Sequence, residues 1–534
     1  MKVTMTTKSK KKRRPGSPRP SQERPRGRRS PKSAPALVHV QEPTLTFGFG
    51  QQVEDPRDGL LLFGPLDQGQ PFGIRVAVIG TEAGIKLYRD WARRIQDNLH
   101  DHGSPIARPP FPGFQTVFRV PWGVEPVLSI TVPEADIQRA VLIADGHVRV
   151  YQTVGLYAER ILEALNREEV GVDVWFVVIP DIIHKNCHPK SRIPSALQID
   201  GEQQMSARFG KRLLDEPSMF VSDNVAAIPY QFEVDFHNQL KARLLGRGPT
   251  QIVRESTLEL VPGPVRPKHD SLPFQAAIAW NICTAAFYKA GGRPWKAANI
   301  RDGVCYVGLV FKRDDRHSDP RYACCAAQMF LDSGDGLVFR GALGPWYSDQ
   351  TREYHLTRVA AKQLGEMVIK AYQEKHEGNP PGELFIHGRA FFDDEEWQGF
   401  LDAVAQTKTR LVGVRIRDES AFRLYRLGER AVLRGTALIL HDKAAFLMSR
   451  GHVPRLRTQV GLEVPRPLRV DIARSDADIR VVLADILSLT KLNYNACIFA
   501  DGLPVTLRFA DDVGEILAAG PVVGDKPLPF KHYI

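Results

Sequence analysis

Apolar and polar positions along this chain follow two rhythms: short unbroken apolar runs, and longer stretches with a helical repeat. GIRVAVIG (73–80) is an apolar run closed by Gly, which predicts a buried strand. Leu87, Tyr88, Trp91 and Ile95 then recur on one face with charges between them, as in an amphipathic helix. A further helix carries Tyr157, Ile161 and Leu165, and VDVWFVVIP (172–180) follows as another buried strand. LLLFGP (60–65), ended by Gly-Pro, also predicts a short buried strand, and order is expected to begin near residue 45. Strands alternating with amphipathic helices point to an α/β unit with a mostly parallel sheet.

From near residue 300 the rhythm changes. VCYVGLVF (304–311), YACCAAQMFL (322–331) and GLVFR (336–340) succeed one another, separated by Gly and charged residues, as antiparallel strands do. A long helix is expected over roughly 351–376, then ELFIHG (383–388) as a strand, DDEEWQGFLDAV (393–404) as a helix start and RLVGVRIR (410–417) as a strand. That order matches a ribonuclease-H-like topology, and topology alone confers no activity. Asp393 to Glu396 fall where acidic residues complement a helix N-terminus, so they need no metal. Asp314 and Asp315 read as turn residues.

Charge changes the picture only after it is divided. The chain has 534 residues and a net charge of +11, but residues 1–35 alone hold 13 Lys/Arg and one Glu. The rest is nearly neutral, so a nucleic-acid site in the body must be a local basic pocket. Residues 1–40 predict a disordered basic tail, either simply solvated or a non-specific polyanion arm. The six cysteines show no C-x-x-C pair and no zinc spacing, which favours a reduced, cytoplasmic setting. No apolar run is long enough to span a bilayer, so no membrane partner is expected.

The most informative stretch is DFHNQLKARLLGRGPTQIVRES (235–256). His237 and Lys241 lie four apart on a predicted helix and so point the same way. Gln251 opens a short strand, and the apolar helix after it ends in Lys289-Ala290-Gly291-Gly292, a helix stop. HKNCHPKSRIP (184–194) follows a buried strand; Lys185, Lys190 and Arg192 there are candidates for backbone contacts, or a solvated loop.

Here the chain resembles the Argonaute family. His237, Lys241, Gln251 and Lys289 match the MID-domain series in type, order and spacing, and NICTAAFYKAGG (281–292) resembles the family's Asn-x-Cys…Lys-x-Gly-Gly stretch. The resemblance implies a pocket for the 5′ phosphate of a guide strand. Ala285 stands where the family often has another Lys, which leaves a Mg2+ ion at the guide 5′ end an open question. On position, the carboxylate of Ile534 is expected at that pocket as a metal ligand. The implied fold is a Rossmann-like MID domain (41–295, with an N-terminal segment) followed by a ribonuclease-H-like PIWI domain (296–534).

In the PIWI pattern, two strands end in Asp residues that hold metal ions. Val310 and His387 occupy those places here, and Asp511 is the one remnant candidate. Valine has no lone pair for a hard cation, and imidazole is a poor magnesium ligand. The resemblance therefore implies no catalysis and the short prokaryotic class, without N and PAZ domains. In that class a guide RNA pairs with complementary single-stranded DNA, and an APAZ-containing partner carries the effector: TIR, sirtuin-like NADase or nuclease. An active guided endonuclease with relocated carboxylates, and a guide-independent scaffold, are the rival readings.

Overall fold

A computed structural model describes residues 35–534 except 102–105, 107, 168–170, 200–204, 260–273, 314–322, 332–335, 341–345, 349, 460–463 and 522–526. The expectations for residues 1–34, and for Asp314 and Asp315, lie outside the described residues.

The first lobe is built on four strands in the order Leu128–Thr131, Val76–Gly80, Val174–Ile179, Thr250–Arg254, all parallel. Alternate residues of the central strands feed two cores, as a sheet buried on both faces requires. Val76, Val78, Phe176 and Val178 pack with Tyr88 and Trp91 of the Glu82–Arg94 helix. Ala77, Ile79, Trp175 and Val177 pack on the other side with the Gly146–Arg167 and Phe236–Leu244 helices.

The second lobe carries a ten-stranded mixed sheet. Its centre is Glu383–Gly388, flanked in parallel by Val304–Arg313 and Arg410–Asp418. The strands Ala323–Phe330 and Gly336–Arg340 extend it antiparallel on one side, as expected. Leu468–Arg474, Ala444–Leu447 and Thr436–His441 extend it on the other. The helices Arg358–Lys375 and Asp394–Val404 cover one face over Leu384, Ile386 and Leu411. Asp393 caps the second helix in a full capping box with Glu396, so this acidic run is structural, as its sequence position predicts.

Three expectations need correction. LLLFGP lies mostly in a helix, Pro56–Phe63, not a strand. Asp55 accepts a hydrogen bond from the Arg57 N–H, Pro56 opens the first turn, and Gly64 with φ 75° stops it. Leu60 is buried while Leu62 is 63% exposed, a helical rather than strand pattern. Order begins earlier than residue 45, inside the stretch read as tail. Ala36–His39 pairs antiparallel with Thr436–Ile439 on the edge of the large sheet, and Val38 and Val40 pack against its core. The helix expected from 351 starts only at Arg358, because Thr357 caps it and Glu353–His355 is committed to a hairpin with Trp346–Ser348.

Candidate anion-binding site

Asp235 starts the Phe236–Leu244 helix by accepting the Asn238 N–H at 3.0 Å. The helical repeat then stacks His237 and Lys241 one turn apart. Lys241 is buried, and its Nζ donates to the main-chain oxygen of Ile534 at 2.5 Å. Lys289 occupies the last turn of the Gln275–Lys289 helix, and its buried Nζ donates to Gln251 Oε1 at 2.7 Å. The chain turns away here because Gly291 takes φ 102°, while a Cβ on Gly292 would meet the Phe287 ring at 2.4 Å. Sequence separations of 293 and 38 residues thus close on one place.

A cavity of about 660 Å3 opens in front of this group, lined by His237 and Gln251 together with Asp235, His184, His188 and Arg254. It lies outside the carboxyl ends of the parallel strands, the usual ligand side of such sheets. Burial pulls the Lys241 ammonium down to about 7, and the charge of Asp512 works against that pull. Burial, then the charge of Lys241, holds Lys289 well below the ordinary lysine range. His237 reaches solvent in the cavity, yet the protein around it, and then Lys241, hold its imidazole near 4. Both buried amines donate to oxygens of Gln251 and Ile534, and the charge of Asp512 reaches only Lys241, so the pair is short of negative charge. A dianionic group entering the cavity would supply it.

The expected residues divide into two sets. Lys241, Gln251, Lys289 and Ile534 make the hydrogen-bonded contacts, and His237 stands beside them on the cavity wall. Lys185, Lys190 and Arg192 are exposed and stay outside this group, although His184, Cys187 and His188 of the same segment line the cavity. Sequence reading missed His184, His188 and Arg254 as wall residues. It also missed a local excess of charge: residues 415–469 hold twelve Lys/Arg against five Asp/Glu, which whole-body neutrality conceals.

In the second lobe, Val310 pairs with Ala326, and His387 pairs with Gly308 in the central strand. His387 is buried, its Nδ1 lies 2.9 Å from Thr506 Oγ1, and burial pushes its imidazole down to about 3. Asp511 is ion-paired with Arg389 at 3.0 Å. Among the described residues no group of three or more His, Cys, Asp or Glu is placed to hold a metal ion. Of the three positions, Val310 and His387 supply no carboxylate, and Asp511 is already paired with a guanidinium.

No family model matches the chain, and none of the curated proteins matches it. Solved structures do. Clostridium butyricum Argonaute, bound to a guide DNA (5′ deoxycytidine) and a 19-mer target DNA, is 16% identical with a TM-score of 0.58 over 92% of this chain and 54% of that one. Aa-Ago with externally-bound siRNA is 14% identical with a TM-score of 0.53 over 93% of this chain and 56% of that one. The chain has the MID–PIWI fold of these Argonaute structures and spans about half their length. Among the described residues no helix is long and apolar enough to cross a membrane.

Proposed function

We propose that this chain holds the 5′-phosphorylated end of a short guide RNA in the first lobe and pairs the guide with complementary single-stranded DNA without cutting it. The observation that carries this reading is the meeting of Lys241, Lys289 and Gln251 behind one cavity wall, with His237 at its surface. A terminal phosphate carries close to two negative charges. Two compact ammoniums neutralise it, the Gln251 amide donates hydrogen bonds, and the His237 ring offers a face to the first base. An internal phosphate carries a single charge and is tethered on both sides, so the pocket selects chain ends.

A Mg2+ ion at the guide end would be held by the Ile534 main-chain oxygen and the Gln251 amide oxygen, both hard oxygen ligands, together with oxygens of the entering phosphate. When bound, the ion would supply the positive charge that Ala285 does not. The output of target recognition is then a signal to an APAZ-containing effector subunit, a reading supported by Val310 and His387 standing where the family's metal-holding Asp residues are expected.

The guide-loaded full-length chain, mixed with end-labelled matched DNA in Mg2+ or Mn2+, is expected to retain the target intact on a sizing gel. Specific cleavage opposite the guide, abolished by Asp511→Ala, would instead establish the relocated-carboxylate enzyme.

A further inference from the structure

The helix Ala510–Ala518 packs against the strand that contains Val310, and it carries Asp511 and Glu515 one turn apart on the same face. In a metal-dependent nuclease such a face would look toward metal ions. Here each carboxylate is paired with a side-chain cation from a neighbouring strand end. Asp511 pairs with Arg389, just beyond His387, at 3.0 Å. Glu515 pairs with Lys312, two residues beyond Val310 on its strand, at 2.9 Å. Burial works against the charge of Lys312, but Glu515 outweighs it, with Glu233 and then Asp511 adding to the same side, so Lys312 and Arg389 share the field of Asp511.

Arg389 is held from several sides. Arg415, itself buried, donates from Nε to the Arg389 carbonyl at 3.0 Å and stacks on Phe391 at 3.7 Å. Arg474 donates to the Phe392 carbonyl at 2.7 Å. The loop that carries Arg389 is thereby fixed at the carboxyl end of the central parallel strand, while its guanidinium stays 49% exposed. Lys312 is 34% exposed. Both cations are positioned by the fold and still reach solvent.

We propose that Arg389 and Lys312 supply the charge that metal ions provide at this place in a nuclease and grip a backbone phosphate of the target strand, with Asp511 and Glu515 as positioning residues. This rests on the guided reading above. The consequence is mechanistic. Two metal ions would activate a water as well as bind phosphate, whereas a guanidinium and an ammonium offer only donors and charge. The same place would therefore retain a target and leave it whole.

The test uses the full-length chain carrying Arg389→Ala and Lys312→Ala, titrated first with 5′-phosphorylated guide RNA and then, once loaded, with matched DNA over a salt series. Guide affinity is expected to stay at the wild-type value. Target affinity should fall about tenfold or more. The log–log salt dependence should flatten by about 0.7–0.9 for each cation removed. Arg389→Lys should recover part of the loss. Unchanged target affinity and salt slope in a chain that still loads guide would overturn the proposal. So would a parallel loss of guide binding. A wild-type chain that loads no guide would sink the guided reading itself, a separate outcome.

Discussion

Replacing Lys241 and Lys289 together by Met is expected to weaken binding of 5′-phosphorylated guides at least about a hundredfold and to leave 5′-hydroxyl guides almost unaffected. Each ammonium is worth about 1.5–3 kcal/mol as a hydrogen bond to a charged group. Losing both costs about 3 kcal/mol at the lower end, and every 1.4 kcal/mol is about tenfold in affinity. Methionine preserves the buried volume while removing the charge, so the loss reads chemistry rather than a cavity. The double substitution also strips the Ile534 main-chain oxygen and Gln251 Oε1 of their partners, so some loss of thermal stability accompanies it. The discriminating quantity is the ratio of the two guide affinities, measured by fluorescence anisotropy. A ratio that stays at its wild-type value would remove the phosphate from the account.

Glu42→Ala is expected to cost about 3–5 kcal/mol of stability, seen as a large drop in the denaturant midpoint. Glu42 enters the second lobe just after the first edge strand and pairs with Arg434 at 2.9 Å and Lys491 at 2.8 Å. Those two cations are 1% and 0% exposed, so removing the carboxylate leaves buried charge without a partner. Burial pushes the Glu42 carboxyl up, but Arg434 and Lys491 outweigh it and hold it below the usual range. Its folded-state value is the lower one. Its contribution is therefore present above the ordinary carboxylate range and fades as pH falls through the folded value. The gap between wild type and Glu42→Ala should narrow below about pH 4. Arg434→Met with Lys491→Met on the Glu42→Ala background should recover part of the loss, because apolar groups can replace a buried charge cluster. A midpoint unchanged in the single variant would show that the N-terminal segment is not anchored there.

Much of this architecture was legible before any coordinates. Val76–Gly80 and Val174–Ile179 are fully apolar, because a parallel strand buried on both faces has no polar side to alternate with. The helical repeat, the strand opening and the Gly-Gly stop place His237, Lys241, Gln251 and Lys289 only one by one; it is the resemblance to the Argonaute MID series that groups them. Leu60 to Pro65 misled for the opposite reason. Three leucines and a phenylalanine outweigh a cap that only Asp55 and Pro56 announce. What lay beyond reach is the pairing of distant charges. Lys312 with Glu515, Arg389 with Asp511, and Glu42 with Arg434 each span more than a hundred residues, and no periodicity records them. The cavity wall from His184, His188 and Arg254 is hidden likewise, since it forms only when two strand ends come side by side.

The central claim concerns the end of a strand, and the most direct measurement is of strand ends. Nucleic acid co-purifying with the full-length chain is extracted and offered to polynucleotide kinase with labelled ATP, before and after phosphatase treatment. Short strands of narrow length that accept label only after the phosphatase are the predicted result. Strands that label equally well untreated, or fragments of random length, would contradict it.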